Sequence, residues 1–219
     1  DMSAEVVNGS IYLVGGLVSP WPPSALVGKI QRYDFATESL ETEAQIPNPV
    51  FAHGSAFVDG KIFMMGGRNF GLNIDPEYIL HRYDLTQIYD IKTGTWSYGK
   101  KIPQPIYGVS VGVTSGVFAL KRIHLLKEDI HYVYDPENDF WTNSTPLLTP
   151  RSGAGVAVVN DLLYVIGGYG SRTYRTENEM YTPTGYIPEF PSWTVMLVIL
   201  TLLAVAVAIY KRRLRPQTN

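Results

Sequence analysis

The side chains with the greatest capacity for chemistry are four histidines, and their spacing does not match a metal site. They are His53, His81, His124 and His131. The last two are seven residues apart, which does not suit ligands on short strands, and only Glu128 and Asp129 lie near them in sequence. Structural or surface roles are therefore expected, and no metal ligand is predicted.

The remaining composition removes several classes of reaction. The chain has no cysteine, which excludes disulfides, thiolate metal ligands, cysteine nucleophiles and a Tyr–Cys redox cofactor. It also has no phosphate loop, no H-E-x-x-H zinc motif and no EF-hand calcium loop. Accordingly, no catalytic residue and no cofactor are predicted.

Charge divides the chain into two unlike regions. The chain has 18 Lys and Arg against 20 Asp and Glu, but four of the cations lie beyond residue 210. These four are Lys211, Arg212, Arg213 and Arg215. Residues 1–192 therefore hold 14 cations and 20 anions, a formal charge of −6. Nucleic acid is not predicted as a partner, because its binding requires a basic surface.

Residues 193–210 form an uncharged run of eighteen residues. As a helix, this run is roughly 27 Å long, close to the thickness of the hydrocarbon core of a membrane. Trp193 and Tyr210 bracket the run and the basic cluster follows it, which places the C-terminus in the cytoplasm by the positive-inside rule. We expect a single membrane span over 193–210, a cytoplasmic tail over 211–219 and an extracytoplasmic N-terminal region. A buried core helix is the alternative.

A short proline-bearing motif precedes the predicted span, within a stem over 183–192. It consists of Pro188, Glu189 and Phe190. Motif, apolar helix and basic end together resemble the PEF-type C-terminal sorting signal of archaeal surface proteins. The resemblance implies processing near the motif by a membrane transpeptidase of the archaeosortase type. A plain single-pass anchor is the alternative, and both tether the chain to the cell membrane.

Three segments repeat one hairpin pattern: residues 6–16, 57–67 and 158–168. Each has an apolar strand, a turn of Asn-Gly, Asp-Gly or Asn-Asp, and a second apolar strand ending in Gly-Gly. Such turns require positive φ, which these residue types tolerate. The glycine pairs are Gly15 and Gly16, Gly66 and Gly67, and Gly167 and Gly168. A fourth copy over 113–120 is degenerate, with Lys121 and Arg122 in place of the glycines.

A second block follows at a variable distance and consists of Tyr-Asp with a large apolar residue seven positions after the Tyr. Its copies are Tyr33, Asp34 and Leu40; Tyr89, Asp90 and Trp96; and Tyr134, Asp135 and Trp141. This spacing suits two short strands joined by a turn, with the large side chains packed between neighbouring sheets. The recurring Asp is interpreted as a turn cap.

The order Gly-Gly, Tyr-Asp, Trp recurs about every fifty residues and resembles the kelch motif over residues 1–182. The resemblance implies an all-β fold of kelch-type β-propeller blades, each of four antiparallel strands around a central channel. Stacking of blades is physically reasonable, because one four-stranded sheet cannot bury both of its faces. A β-sandwich is the alternative.

The repeats predict about four blades, at or below the smallest number that closes a ring. Kelch propellers more often have six or seven blades. We therefore expect this chain to be the C-terminal part of a longer protein that carries a signal peptide and further blades upstream. A compact four-bladed ring is the alternative.

In kelch-like propellers, ligands meet the loops that follow the Gly-Gly pairs and the loops that join successive blades. Here the first set spans roughly residues 17–30, 68–82, 121–131 and 169–178. Arginine together with aromatic residues suits recognition of a carbohydrate, a peptide or a carboxylate. The candidate ligand residues are Trp21, Arg68, Asn69, Tyr169, Arg172 and Arg175. Ordinary solvated loop positions are the alternative.

These observations lead to an expected function. We expect a membrane-tethered, extracytoplasmic kelch-repeat protein that acts as a binding or adhesion module for a protein or glycan ligand. An extracellular carbohydrate-active enzyme on a propeller scaffold and a structural cell-surface component are the alternatives, because a fold does not by itself define a function.

Overall fold

The structure, a computed structural model, describes residues 2–18, 26–70, 80–188 and 192–213. The chain forms two compact units, residues 1–186 and residues 187–219. Within the described residues, the first unit is built from β-strands and the second contains one helix.

The strands of the first unit form four blades. The first blade contains β1 (Ser3–Val7), β2 (Ser10–Val14), β3 (Lys29–Asp34) and β4 (Ser39–Gln45). The second contains β5 (Gly54–Val58), β6 (Lys61–Met65), a small hairpin of β7 (Arg68–Phe70) and β8 (Leu80–Arg82), then β9 (Thr86–Asp90) and β10 (Thr95–Gly99). The third contains β11 (Ser110–Val113), β12 (Ile123–Lys127), β13 (Ile130–Asp135) and β14 (Phe140–Asn143).

The fourth blade is a sheet of three strands and a small hairpin. It contains β15 (Gly155–Val159), β16 (Leu162–Ile166), the hairpin of β17 (Tyr169–Gly170) and β18 (Thr173–Tyr174), and β19 (Asn178–Tyr181). Strand order in each blade follows the chain, as β1-β2-β3-β4, β5-β6-β9-β10, β11-β12-β13-β14 and β15-β16-β19, with antiparallel neighbours. The predicted all-β fold of propeller blades, about four in number, is confirmed.

The tight turns between the first two strands of three blades have the predicted geometry. Both turn residues have positive φ at Asn8 and Gly9 (48° and 79°), at the Asp59–Gly60 turn (47° and 79°) and at the Asn160–Asp161 turn (51° and 59°). This conformation matches the twist of a two-residue hairpin. Local sequence therefore determines where these three blades begin to fold back on themselves.

Apolar residues fill the spaces between successive blades. One buried cluster joins the first and second blades around Val14 and Ile62, and a second joins the second and third around Met65 and Leu125. A third cluster, around Leu163, joins the third and fourth blades. Strands β1, β5, β11 and β15 neighbour each other in that order, so they are the inner strands of the blades.

The paired Tyr and Trp residues of the second block lie between blades. Tyr89 pairs with Trp96 across β9 and β10, and Tyr134 pairs with Trp141 across β13 and β14. The ring centroids are 5.2 and 4.8 Å apart in the two pairs, and both tyrosines are buried. The corresponding pair in the first blade, Tyr33 and Leu40, is less buried, because it lies on the outward side of that blade.

The aspartate of each second block accepts hydrogen bonds within its own turn. The Asp34 carboxylate accepts from the backbone N–H groups two and three residues later, at 2.8 and 3.2 Å. Asp90 does the same at 3.0 Å for both bonds, and Asp135 at 2.9 and 3.1 Å. Such Asx turns hold the third and fourth strands of a blade together.

The degenerate hairpin copy predicted over residues 113–120 is wrong. Strand β11 ends at Val113, and its antiparallel partner is β12, which begins only at Ile123. The intervening residues form a connection whose backbone N–H groups donate to the buried Asp161 carboxylate. Lys121 and Arg122 are therefore the end of this connection, and residues 123–127 are a strand rather than a ligand loop.

The second unit contains helix α1 (Ser192–Arg213) of 22 residues. Within the described part of the chain, we found no helix of sufficient length and apolarity to span a membrane. The span predicted over 193–210 is thus not confirmed. Of the predicted sorting motif, Pro188 is described, whereas Glu189 and Phe190 lie outside the described residues.

Candidate functional site

The Gly-Gly turns meet the segments that join successive blades. The Gly16 N–H donates to the Val50 carbonyl (3.3 Å), and the Gly67 N–H donates to the Ile106 carbonyl (2.7 Å). Gly67 has a φ of +95°, and a β-carbon there would lie 2.8 Å from the Val50 side chain, so the position requires glycine. We call the resulting surface the loop face. It comprises the Gly-Gly turns, the joining segments 46–53, 100–109 and 144–154, and the hairpins β7–β8 and β17–β18.

The β7–β8 hairpin is fastened to the segment that joins the first and second blades. Arg68 and Phe51 exchange two backbone hydrogen bonds of 2.9 and 3.0 Å. Across the hairpin, Arg68 pairs directly with Arg82, and Asn69 pairs with His81. Two arginines therefore occupy opposite positions on neighbouring strands.

Three cationic side chains converge on the ring of Tyr107. The Lys127 Nζ lies 3.8 Å from the ring centroid, and the guanidinium carbons of Arg68 and Arg82 lie 4.7 and 4.9 Å from it. The Arg68 guanidinium also lies 4.8 Å from the centroid of Phe51, so it contacts two aromatic rings. We call Phe51, Arg68, Arg82, Tyr107 and Lys127 the Tyr107 cluster.

The β17–β18 hairpin presents a second pair of exposed aromatic rings. The centroids of Tyr169 and Tyr174 are 5.4 Å apart in an edge-to-face arrangement, and these side chains are 50% and 83% exposed. Arg172, at the tip, is exposed with a φ of +63°. Arg175 instead donates to the Ser171 hydroxyl (3.0 Å), within its own hairpin.

Buried Arg151 holds the base of this hairpin. Its guanidinium donates to the carbonyls of Gly167 and Glu177 at 3.3 and 2.9 Å and forms an ion pair with the Glu179 carboxylate. Burial opposes the ionisation of Glu179, but hydrogen bonds from Thr149 and the Arg151 charge hold its pKa below the usual value. Arg151 thus bonds to the chain on both sides of the β17–β18 hairpin. These bonds restrict the position of the hairpin that carries the exposed tyrosines.

The predicted ligand residues fall on two blades. Arg68 and Asn69 lie on β7 of the second blade, and Tyr169, Arg172 and Arg175 lie in the hairpin of the fourth. Trp21 lies outside the described residues. The other four members of the Tyr107 cluster come from four separate segments and are not among the predicted ligand residues. Arg82 and Lys127 fall within the predicted loop ranges 68–82 and 121–131, whereas Tyr107 lies in the segment that joins the second and third blades.

Two of the four histidines, His124 and His131, are buried and lie against the Tyr181 ring of the fourth blade. The His131 Nδ1–H donates to the Thr145 carbonyl (2.7 Å), so its bare Nε2 accepts from His124 Nδ1–H, with 3.0 Å between the nitrogens. Burial, reinforced by the neighbouring His131, lowers the pKa of His124 to about 3, and burial also lowers the pKa of His131. Both rings are therefore neutral at pH 7. In the described ranges, no three or more metal-ligating residues come together.

The sequence also contains a G-x-S-x-G pattern over residues 108–112. In hydrolases this pattern places a serine on a sharp strand-to-helix turn. Here Ser110 begins the inner strand β11, is buried, and donates its hydroxyl to the Ala154 carbonyl (2.6 Å). The serine therefore joins two blades and does not have the geometry of a nucleophile.

Comparison with known proteins agrees with this architecture. The family described as Kelch motif matches residues 49–102 and 150–195. A solved structure of YjhT superposes with a TM-score of 0.67 and 18% identity, covering 84% of this chain and 68% of that one. The fold is that of a β-propeller, and two of its segments match the kelch motif, so the chain carries kelch repeats.

Several curated relatives align with most of this chain, and two of the three described here carry the kelch name. Kelch-like protein terF of Aspergillus terreus is 26% identical over 209 residues, which are 88% of this chain and 43% of that protein. Kelch-like protein 23 of Pongo abelii is 31% identical over 183 residues, 82% of this chain and 30% of that protein. Beta-scruin of Limulus polyphemus is 25% identical over 181 residues, which are 76% of this chain and 19% of that protein. The chain thus spans less than half the length of each of these relatives.

Proposed function

We propose that this chain is a protein-binding module that holds its partner on the loop face. The observation that supports the proposal most directly is the exposed pair of Tyr169 and Tyr174. Large aromatic side chains supply binding energy at low entropic cost when their support is rigid. The hairpin that carries them is fixed by buried Arg151, and it stands beside irregular segments, where binding residues concentrate.

Selection of peptides from a displayed random library on the immobilised full chain tests this proposal. Peptides selected on the unmodified chain should lose at least tenfold in affinity for the double variant Y169S/Y174S. The matched control is F35S, which removes an aromatic side chain of similar exposure (59%). Phe35 lies in the turn between β3 and β4, at the end of the first blade that is opposite to the loop face. Its affinity should change less than twofold.

Two results would contradict the proposal. In the first, selected peptides bind the unmodified chain, Y169S/Y174S and F35S equally, which places their site elsewhere. In the second, no peptide is selected while a glycan array gives saturable binding that depends on Tyr174. That outcome would assign the loop face to carbohydrate recognition instead.

We also propose that α1 tethers the chain to a membrane with the propeller blades outside the cytoplasm. Support comes from the sequence: the uncharged run over 193–210 and the basic cluster that follows it. When the full chain is produced in cells, it should stay in the membrane pellet after alkaline carbonate extraction. The double variant V198K/L203K should move to the supernatant, and release of the unmodified chain would refute the proposal.

Cleavage near Pro188, as the sorting-signal resemblance implies, is a separate proposal. Its measure is the mass of the mature chain in a host that has an archaeosortase-type enzyme. A product that ends close to residue 190 supports it, and an intact C-terminus through Asn219 refutes it.

A further inference from the structure

The Tyr107 cluster holds three positive charges close together, and their mutual repulsion is unfavourable. Arg68 and Arg82 are direct cross-strand partners, and like charges at such positions destabilise a sheet. Lys127 reaches the same ring from the end of β12, on the next blade. The Tyr107 ring offsets part of the repulsion through its negative π-face, but a neutral ring carries no counter-charge.

Elsewhere in the described residues, six arginines and lysines of the blades have carboxylate partners. Arg122 pairs with Asp135 (2.7 Å), Lys121 with Asp59 (2.7 Å) and Lys101 with Asp84 (3.2 Å). Residues 1–192 also contain more acidic than basic side chains.

The three cations of the Tyr107 cluster differ from these pairs. Among the residues that the structure describes, no ion pair within 4.0 Å is recorded for Arg68, Arg82 or Lys127. Glu128, the acid next to Lys127 in sequence, accepts a hydrogen bond from the Ser152 hydroxyl (3.2 Å). The positive charge of the cluster is thus left for a group that the described part of the chain does not supply.

The Arg68 side chain is oriented for such a group. Contact with Phe51 and Tyr107 restricts its planar guanidinium, and its buried Nε–H has no hydrogen-bond partner among the described residues. A restricted guanidinium presents its N–H groups in a fixed fork that matches the two oxygens of a carboxylate. Exposed Arg82 stands opposite on β8 and adds a second fork on the same side of the hairpin.

We infer that the Tyr107 cluster binds the side-chain carboxylates of an acidic peptide segment. Arg68 and Arg82 hold a carboxylate through charge-assisted hydrogen bonds, and Lys127 contributes a positive charge from the neighbouring blade. This inference rests on the proposed protein-binding function and specifies the chemistry of the partner. It uses a part of the loop face distinct from the tyrosine pair on the fourth blade.

Fluorescence anisotropy with the full chain tests the inference. The probe is a fluorescein-labelled peptide of six glutamates, compared with one of six glutamines, at 50 and 500 mM NaCl. The glutamate peptide should bind, the glutamine peptide should not, and added salt should weaken binding, because screening acts on exposed charges. The variant R68Q/R82Q should weaken the affinity at least tenfold.

The matched control is K61Q/K92Q, which removes the same charge from two exposed lysines at the hairpin-turn end of the second blade. Its affinity for the glutamate peptide should stay within twofold of the unmodified chain. The single variant R82Q changes an exposed side chain and tests the site without disturbing the half-buried Arg68. Equal losses in R68Q/R82Q and K61Q/K92Q would overturn the inference in favour of general charge attraction.

Two competitors distinguish other anionic ligands. Inorganic phosphate or polygalacturonate that displaces the peptide at a lower concentration than free glutamate peptide would assign the cluster to those ligands instead. Failure of the inference also differs from failure of the proposed function. A glutamate peptide that does not bind the unmodified chain, together with library peptides that lose affinity for Y169S/Y174S, would remove only the inference.

Discussion

Interior and end blades place the same repeat positions in different surroundings. Val58, at the end of β5, is 5% exposed, whereas Val159, at the same position of β15, is 54% exposed. Met65 at the end of β6 is fully buried, and its counterpart Ile166 is 50% exposed. The second blade lies between the first and third, but the outward face of the fourth has no such neighbour among the described residues. The burial of a repeat position therefore depends on whether a neighbouring blade covers it.

The first blade shows the same effect on the opposite side. Ile11 and Ile62 occupy one repeat position on β2 and β6, yet only Ile62 is fully buried, in the cluster between the first two blades. Val6 is 72% exposed, while its counterpart Phe57 packs against that cluster. An apolar repeat residue thus stabilises the fold only where another blade covers it.

The largest expected effect is on the free energy of unfolding, when the same Ile-to-Ala substitution is made at a covered and at an uncovered repeat position. I62A should lower the free energy of unfolding by about 3 kcal/mol, because it leaves a cavity in a closed interface. I11A removes the same atoms from a half-exposed position and should cost less than about 1 kcal/mol. Urea unfolding of the full chain, followed by tryptophan fluorescence, measures both. Equal losses would show that end and interior faces are equivalent.

A second prediction concerns the interface between the third and fourth blades. The Asp161 carboxylate accepts hydrogen bonds from the backbone N–H groups of Val117, Phe118 and Ala119 at 3.0, 2.7 and 3.0 Å, and from that of Ser115. Burial opposes its ionisation, but these bonds prevail and lower its pKa from 3.8 to about 2. The folded state therefore favours the ionised form.

The sign of the pH dependence follows from that shift. Because the folded pKa is the lower one, the contribution of Asp161 is complete above about pH 5 and disappears as the pH falls toward 2. We expect D161N to lower the free energy of unfolding by about 2 kcal/mol at pH 7 and to flatten its dependence between pH 5 and 2. A pH series of urea midpoints checks this, and an unchanged slope in D161N would count against the assigned bonds.

The smallest expected effect should be independent of the position of a blade in the stack. The turns between third and fourth strands place Glu38 of the first blade and Gly94 of the second at a φ of +52° and +69°. G94A should cost about 1 kcal/mol, and E38G should stabilise the fold by about 0.5 kcal/mol. Both positions are exposed, so thermal unfolding should show effects set by local backbone strain. A neutral G94A would contradict this assignment.

Much of the fold was predictable because its signals are local. The Asn8–Gly9 turn determines a hairpin through its own φ values, and Asp90 closes the next turn through two adjacent N–H groups. Prediction failed over 114–122, where the conformation depends on Asp161, more than forty residues away. A carboxylate that acts from the next blade leaves no pattern in the segment it shapes.

The candidate site divides in the same way. Arg68 was predicted from its place after Gly66 and Gly67, but the sequence contained no sign that Arg82 and Lys127 reach the same ring. Sequence by itself determined the repeats, the turns, the acidic charge of residues 1–192 and the absence of cysteine chemistry. Tertiary structure decided which apolar residues are buried and which cations converge, because both depend on blades that meet only after the chain has folded.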